Sequence, residues 1–213
     1  VPHPANANAQ SDANPQRLHR AGNEAKMAAT FAKESAMMNK LVCAAASLLL
    51  SLSAHAALDI GEVAPDFATQ AALGGKVYRF SLAESLKKGP VVLYFFPAAF
   101  TEGCSTEAHL FAEAMPQFEA LGASVVGVSA DDIDTLAKFS VQVCQSKFPV
   151  ASDEKQTIIK AFDAVLRTRP EYANRISYVI APDGKIVYHY MSLNPTKHVE
   201  KMLGALQGWA QKK

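Results

Sequence analysis

Residues 91–114 read VVLYFFPAAFTEGCSTEAHLFAEA, passing from an uninterrupted apolar run through a short loop into a helical pattern. Val91 to Phe96 are β-branched, aromatic or aliphatic throughout, as suits a strand buried on both faces of a mainly parallel sheet. Pro97 ends the run, because proline cannot donate to a sheet ladder. Beyond Thr101, Leu110, Phe111, Ala114 and Phe118 recur at helical spacing, with Glu102, Glu107 and Glu113 between them, so a helix begins here with acids near its start. Cys104 falls in or near the first turn. Unpaired N–H groups and the positive dipole end favour a thiolate at such a position. Cys104 therefore reads as a reactive cysteine, the alternative being a small buried hydrophobe.

The flanks extend an alternating order of elements. Upstream, residues 60–67 (IGEVAPDF) form an extended lead-in, Lys76 to Phe80 a strand after the Gly74-Gly75 turn, and Ser81 to Lys88 a short helix stopped by Gly89-Pro90. Downstream, Pro116 is expected to break the cysteine helix into two pieces, and Gly122 closes it before the buried strand 123–129 (ASVVGVS). Asp131 or Asp132 caps a helix to about Lys147, Phe148 to Ala151 is a strand, and Ser152-Asp153-Glu154 starts a helix through Phe162. Arg175 to Ile180 and Ile186 to Tyr190 make a hairpin around Asp183-Gly184, and Asn194-Pro195-Thr196 opens a last helix ending near Trp209. The pattern predicts an α/β fold, a mostly parallel sheet with an antiparallel edge hairpin and helices on both faces.

The first 56 residues differ in character. Residues 1–37 are polar and Ala/Asn-rich without apolar periodicity, so disorder is expected. Residues 38–56 combine the basic start Met38-Asn39-Lys40, the apolar run Leu41 to Ser53 and Ala54-His55-Ala56, the pattern of a secretory signal peptide cleaved after Ala56. The apolar run is well short of the roughly twenty residues a spanning helix needs, so no stable membrane anchor is expected. Cys43 sits too early for a lipoprotein signal. Translation is expected to begin at Met37 or Met38, leaving residues 1–36 or 1–37 outside the native protein. The remaining domain, residues 57–213, carries 16 Lys+Arg against 17 Asp+Glu, and no basic surplus argues for nucleic acid or an anionic membrane.

Two motifs carry a family resemblance. Pro97-Ala98-Ala99-Phe100-Thr101-Glu102-Gly103-Cys104 resembles the P-x-x-x-T-x-x-C motif of the peroxiredoxins (the AhpC/TSA thiol peroxidase superfamily). Arg175-Ile176-Ser177-Tyr178-Val179-Ile180-Ala181-Pro182-Asp183-Gly184-Lys185 is similar to a segment of their bacterioferritin-comigratory, or Q-type, branch, with Ala181 where that branch usually has Asp. The resemblance covers Leu58 to about Trp209 and implies a thioredoxin-like fold. It further implies a thiol-dependent peroxidase that reduces hydrogen peroxide and organic hydroperoxides through a cysteine sulfenic acid.

On that resemblance Cys104 is the peroxidatic nucleophile, the Thr101 hydroxyl orients the peroxide, and Pro97 walls the pocket. Arg175, which alone reads as a surface ion pair, supplies the charge that favours the thiolate and steadies the leaving oxygen. Glu107 reads at least as well as an acid on the helix dipole as it does as a functional group. Cys144, on the following helix, is expected to resolve Cys104 through an intramolecular disulfide, since export favours pairing; a buried structural thiol is the alternative. It stands about one helical turn from the branch's usual position, held here by Ser140, and the other usual position is His109. A helix would then have to unwind. No dinucleotide, haem or phosphate motif and no metal-ligand spacing occurs, so neither cofactor nor metal is expected. Electrons would come from a thioredoxin-like or low-molecular-weight thiol reductant. The expected location is the bacterial periplasm, as a monomer or homodimer. A disulfide exchange protein of the cell envelope is disfavoured by Thr101, which replaces the first cysteine of C-x-x-C. A thioredoxin-like binding or metallochaperone module is disfavoured by the lack of C-x-x-x-C.

Overall fold

The computed structural model describes residues 57–212; the expected disordered segment and signal peptide, with Cys43, lie outside the described residues. A seven-stranded sheet runs through the domain in the order β2-β1-β5-β4-β3-β6-β7. Its strands are β1 Ala68–Leu73, β2 Lys76–Ser81, β3 Val91–Phe95, β4 Ser124–Ser129, β5 Val150–Ser152, β6 Ile176–Ile180 and β7 Ile186–Met191. The helices are α1 Leu82–Leu86, α2 Glu102–Ala120, α3 Ile133–Gln142, α4 Thr157–Ala161 and α5 His198–Ala210, the last entered through a 3-10 turn Pro195–Lys197.

The predicted fold class is borne out, with more antiparallel pairing than the pattern suggested. β3, β4 and β5 are mutually parallel, and β1 and β6 join that centre antiparallel. A hairpin therefore closes each edge, β1–β2 as well as β6–β7. The additional strand, β1, has the weak β-former sequence ATQAAL; its neighbours on both sides hold it in place.

All of β3 is buried, as its apolar run requires, and its side chains alternate between two cores. Val91, Leu93 and Phe95 join Leu82 of α1 and Ile159 of α4, with Phe162 just beyond. Val92 and Tyr94, with Phe96 after the strand, join Phe111 and Phe118 of α2, Phe139 of α3 and Met202 of α5. Cys104 and Cys144 belong to this second core.

Contrary to expectation, α2 continues unbroken through Pro116. Proline removes one hydrogen bond, but Phe111 and Phe118 on either side of it are fully buried and stacked, so packing carries the helix through. It ends where expected: Gly122, at φ +68°, donates to Glu119 O while Ala123 donates to Phe118 O, a Schellman arrangement.

Tyr94 of β3 faces Gly127 of β4 in register, and a Cβ at Gly127 would lie 2.7 Å from Tyr94 Cζ. The ring cannot retreat, being stacked on Phe111 at 4.5 Å between centroids. Gly127→Ala should therefore destabilise the domain by about 1–3 kcal/mol. At roughly 2–4 °C per kcal/mol for a domain of this size, thermal unfolding should show it; an unchanged midpoint would mean the ring has room to move.

Candidate active site

Sheet register builds the site. Phe95, the last residue of β3, pairs with Ile176, the first of β6, so Arg175 lies beside the point where the chain leaves β3 for α2. That connection is held from behind: Asp131 Oδ2 accepts from Ala99 N at 2.8 Å and from Ser129 Oγ at 2.7 Å. Asp131 thus buttresses the loop, while the cap of α3 is Asp132, which accepts from Thr135 N. Phe100 adopts φ +61° with its ring edge-on to Phe139, a left-handed turn that a bulky residue holds only with support.

Thr101 is the N-cap residue of α2 and Cys104 the third residue of the helix. The first-turn N–H groups have no intrahelical acceptor and surround the sulfur's backbone with positive potential. Cys104 is 1% exposed, and Arg175 Nη2 donates to its Sγ at 3.3 Å. Gly103 permits that approach, since a Cβ there would lie 3.2 Å from Nη2.

The guanidinium is held in three directions. Nε donates to Leu193 O at 3.1 Å, Nη1 donates to Glu107 Oε2 in a short buried ion pair, and Nη2 meets the sulfur. Glu107 is fully buried, so the reading of it as an acid on the helix dipole does not describe its place. Burial pushes its carboxyl up to about 8, outweighing the Arg175 charge that favours ionisation. Behind it stands His198, also fully buried, with Nδ1 3.5 Å from Glu107 Oε1 and 2.8 Å from Ser177 Oγ, and Nε2 2.9 Å from Ser192 O. Burial holds the imidazole down at about 4, with the bond to Ser192 opposing and Arg175 reinforcing the shift.

Of the residues expected from sequence, Cys104 and Arg175 are in contact. Thr101 lies one turn away, exposed, with Oγ1 donating to Ala98 O at 3.0 Å. Pro97 stands two residues beyond the end of β3 and is half-buried. Cys144 is a free, buried thiol, as is Cys104. It does not lie on α3, which ends at Gln142 rather than near Lys147. Val143 and Cys144 both donate to Phe139 O, and Gln145 and Ser146 turn the chain with φ of +53° and +58°. Phe148 beyond them is buried against Tyr94, which pulls the chain inward before a further helical turn can form. Burial raises the Cys144 thiol's pKa.

The reading of the sequence passed over His198 and Ser177. The signal was available for His198, which stands four residues before Met202 and eight before Leu206, all buried on one face of α5. Glu107 likewise shares the buried spacing of Cys104, Ala108 and Phe111.

Known proteins share this fold. The model of the AhpC/TSA family matches residues 60–189. The putative peroxiredoxin YkuU of Bacillus subtilis is 32% identical over 157 residues, covering 70% of this chain and 87% of its own. Peroxiredoxin Bcp of Xanthomonas campestris pv. campestris is 28% identical over 127 residues, 57% of this chain and 78% of its own. Among solved structures, peroxidoxin BcpB from Mycobacterium tuberculosis superposes with a TM-score of 0.62 at 32% identity, covering 71% of this chain and 97% of its own. The C47S mutant of Xylella fastidiosa PrxQ gives 0.63 at 28% identity, covering 72% and 98%. With its family model spanning both the Cys104 helix and the Arg175 strand, the chain belongs to the AhpC/TSA family.

Proposed function

We propose that this protein is a thiol-dependent peroxidase acting on hydrogen peroxide and organic hydroperoxides, with Cys104 as its nucleophile. The observation that carries the reading is the buried Cys104 Sγ at a helix N-terminus, 3.3 Å from the Arg175 guanidinium. A buried thiolate needs a paired charge, and Arg175 is fixed to provide it. The thiolate attacks one peroxide oxygen: the S–O bond forms, the O–O bond breaks, and the departing oxygen takes a proton to leave as water or alcohol. Arg175 and the free N–H groups of the first turn of α2 stabilise charge on that oxygen. The Thr101 hydroxyl, at the N-cap, orients the peroxide. Pro97 walls the approach.

Cys144 is the resolving residue in this reading. Its thiolate attacks the sulfenic sulfur, an S–S bond forms, the S–O bond breaks, and the departing hydroxide takes up the proton that the thiol gave up and leaves as water. Burial raises its pKa, so it reacts only after segment 143–147 has opened. A thioredoxin-like or low-molecular-weight thiol then reduces the disulfide by exchange. The signal-like pattern of residues 38–56 supports export to the periplasm, where a disulfide intermediate is at home. Among the described residues no helix is long and apolar enough to cross a membrane. The protein works as a monomer or homodimer.

Cys104→Ser should lower peroxide consumption to the uncatalysed rate, and consumption persisting in this variant would end the proposal. Cys144→Ser should still consume one equivalent of peroxide but stop at a sulfenic acid, trapped on Cys104 and visible in the intact mass. The unsubstituted protein should instead lose two hydrogens, mapped to Cys104 and Cys144. Thr101→Val should slow the oxidation step by about 10- to 100-fold, the cost of removing one orienting group; an unchanged rate would leave orientation to the backbone alone.

A further inference from the structure

The groups behind Arg175 present a charge problem that the peroxidase reading does not address. Cys104, Glu107, Arg175 and His198 are all at most 5% exposed. Arg175 is one cation between two potential anions, the Glu107 carboxylate on Nη1 and the Cys104 thiolate on Nη2. Were both ionised, the cluster would bury a net negative charge, which is costly in a low-dielectric interior.

The contacts of His198 show where a compensating proton goes. Nε2 faces the Ser192 carbonyl, which can only accept, so Nε2 carries a hydrogen. Nδ1 faces Ser177 Oγ, which can donate to a bare nitrogen or accept from a protonated one. It also faces Glu107 Oε1 across 3.5 Å, and that oxygen is buried without a hydrogen-bond partner. With Glu107 ionised and Nδ1 bare, two lone pairs would point at each other. One proton on either atom removes the conflict.

We propose that Glu107 and His198 are a positioning pair that holds one proton while Cys104 is a thiolate and releases it once Cys104 becomes neutral, so that Arg175 always faces a single anion. The proposal builds on the thiol-peroxidase reading and adds the groups that set the charge on its nucleophile. While Cys104 is a thiolate the proton resides on Glu107 rather than on His198, in keeping with burial raising the pKa of the carboxyl and lowering that of the imidazole. The other groups facing the pair fit this state. Arg175 stands just before β6, Cys104 one turn back on α2, and from β7 the Tyr190 ring lies edge-on to His198 at 4.9 Å between centroids. From β3, Tyr94 presents a buried, unpartnered hydroxyl whose pKa is raised well above the ordinary range by burial, then by Cys144, Glu107 and Cys104, so it stays neutral.

The consequence is a coupled titration in which Glu107 and Cys104 compete for Arg175. Ionising the carboxyl raises the thiol's hold on its proton; neutralising it lowers that hold. Glu107→Gln keeps the shape but fixes the neutral state.

The test reads the thiolate without peroxide. In the full chain carrying Cys144→Ser, alkylation of Cys104 by iodoacetamide is followed against pH by peptide mass spectrometry. The rate profile should be broader than a one-proton curve. Adding Glu107→Gln should sharpen it to one proton and lower its midpoint by at least about half a pH unit, roughly threefold more thiolate on the acid side. An unchanged or upward-shifted midpoint overturns the proposal. Failure of peroxide turnover alone would strike the peroxidase reading and leave this profile interpretable. Should Glu107→Gln not fold, infrared spectroscopy of the Cys144→Ser protein serves. A buried carboxylic-acid carbonyl band should be present near neutral pH and disappear when Cys104 is alkylated to a neutral thioether. A carboxyl region indifferent to alkylation overturns the proposal equally.

Discussion

Everything in the site depends on one side chain, the Arg175 guanidinium, being held in a single orientation inside the protein. Its planar fork ties α2 through Glu107 and Cys104 to the loop after β7 through Leu193 O, a geometry that a lysine, with its single point of charge, could not reproduce. The fork is placed by backbone pairing, because β6 lies antiparallel to β3 with Arg175 one residue before the first pair. A one-residue slip of β6 would send the guanidinium to the opposite face of the sheet. Fully buried pairs along β3 and β6 make such a slip costly. The chemistry of Cys104 is thus secured by the same apolar run that specifies the central strand.

Holding Arg175 this way has a cost, since buried ion pairs are weak contributors to stability and breaking one leaves an uncompensated charge worth about 3–5 kcal/mol. The surrounding fold concentrates two large apolar cores on either side of the sheet, and against that burial a few strained or polar features can be tolerated. One of them, the left-handed Phe100, stands where the chain turns toward Cys104, and the unpartnered oxygen of Glu107 lies one helical turn beyond the sulfur.

The parts legible in the sequence were those written as local pattern. A continuous apolar run, an acid-rich helix start and a Gly-terminated helix each have a short-range cause, and β3, α2 and the Gly122 cap follow from them. The burial of Glu107 is also written at helical spacing, but its type outweighed its position: a Glu in an early helical turn suggests a dipole partner until a buried arginine is known to face it. His198 and Ser177 lie on different elements and meet only through sheet order, which no local pattern states. The strand β1 escaped because its sequence is indifferent and its neighbours decide it. Pro116 and the end of α3 went astray for a shared reason. Tertiary packing of Phe111 and Phe118 overrides a local breaker, and the inward pull of Phe148 overrides a local helix former.

The end of α3 changes what the proposed resolving step demands. Had Cys144 lain within the helix, reaching Cys104 would require breaking a run of i→i−4 bonds on two helices at once. It lies instead in a turn held by Ser146 N to Ser140 O, Lys147 N to Cys144 O, and Gln145 Nε2 3.2 Å from His109 Nδ1 on α2. Two consecutive non-glycine residues in left-handed conformation already cost roughly 1–3 kcal/mol each. Opening this turn relieves that strain while α3 keeps its own ladder, so its free energy lies well below that of global unfolding. The Cys104 side is different, because Arg175 anchors the sulfur through a network spanning α2, β6 and α5. If Cys104 reacts as proposed, oxidation to a sulfenic acid removes the anion that Arg175 grips and so weakens the anchor only after peroxide has been consumed. In the proposed cycle the order of events then follows from charge: the nucleophile stays gripped while it must attack, and it is released when it must be resolved.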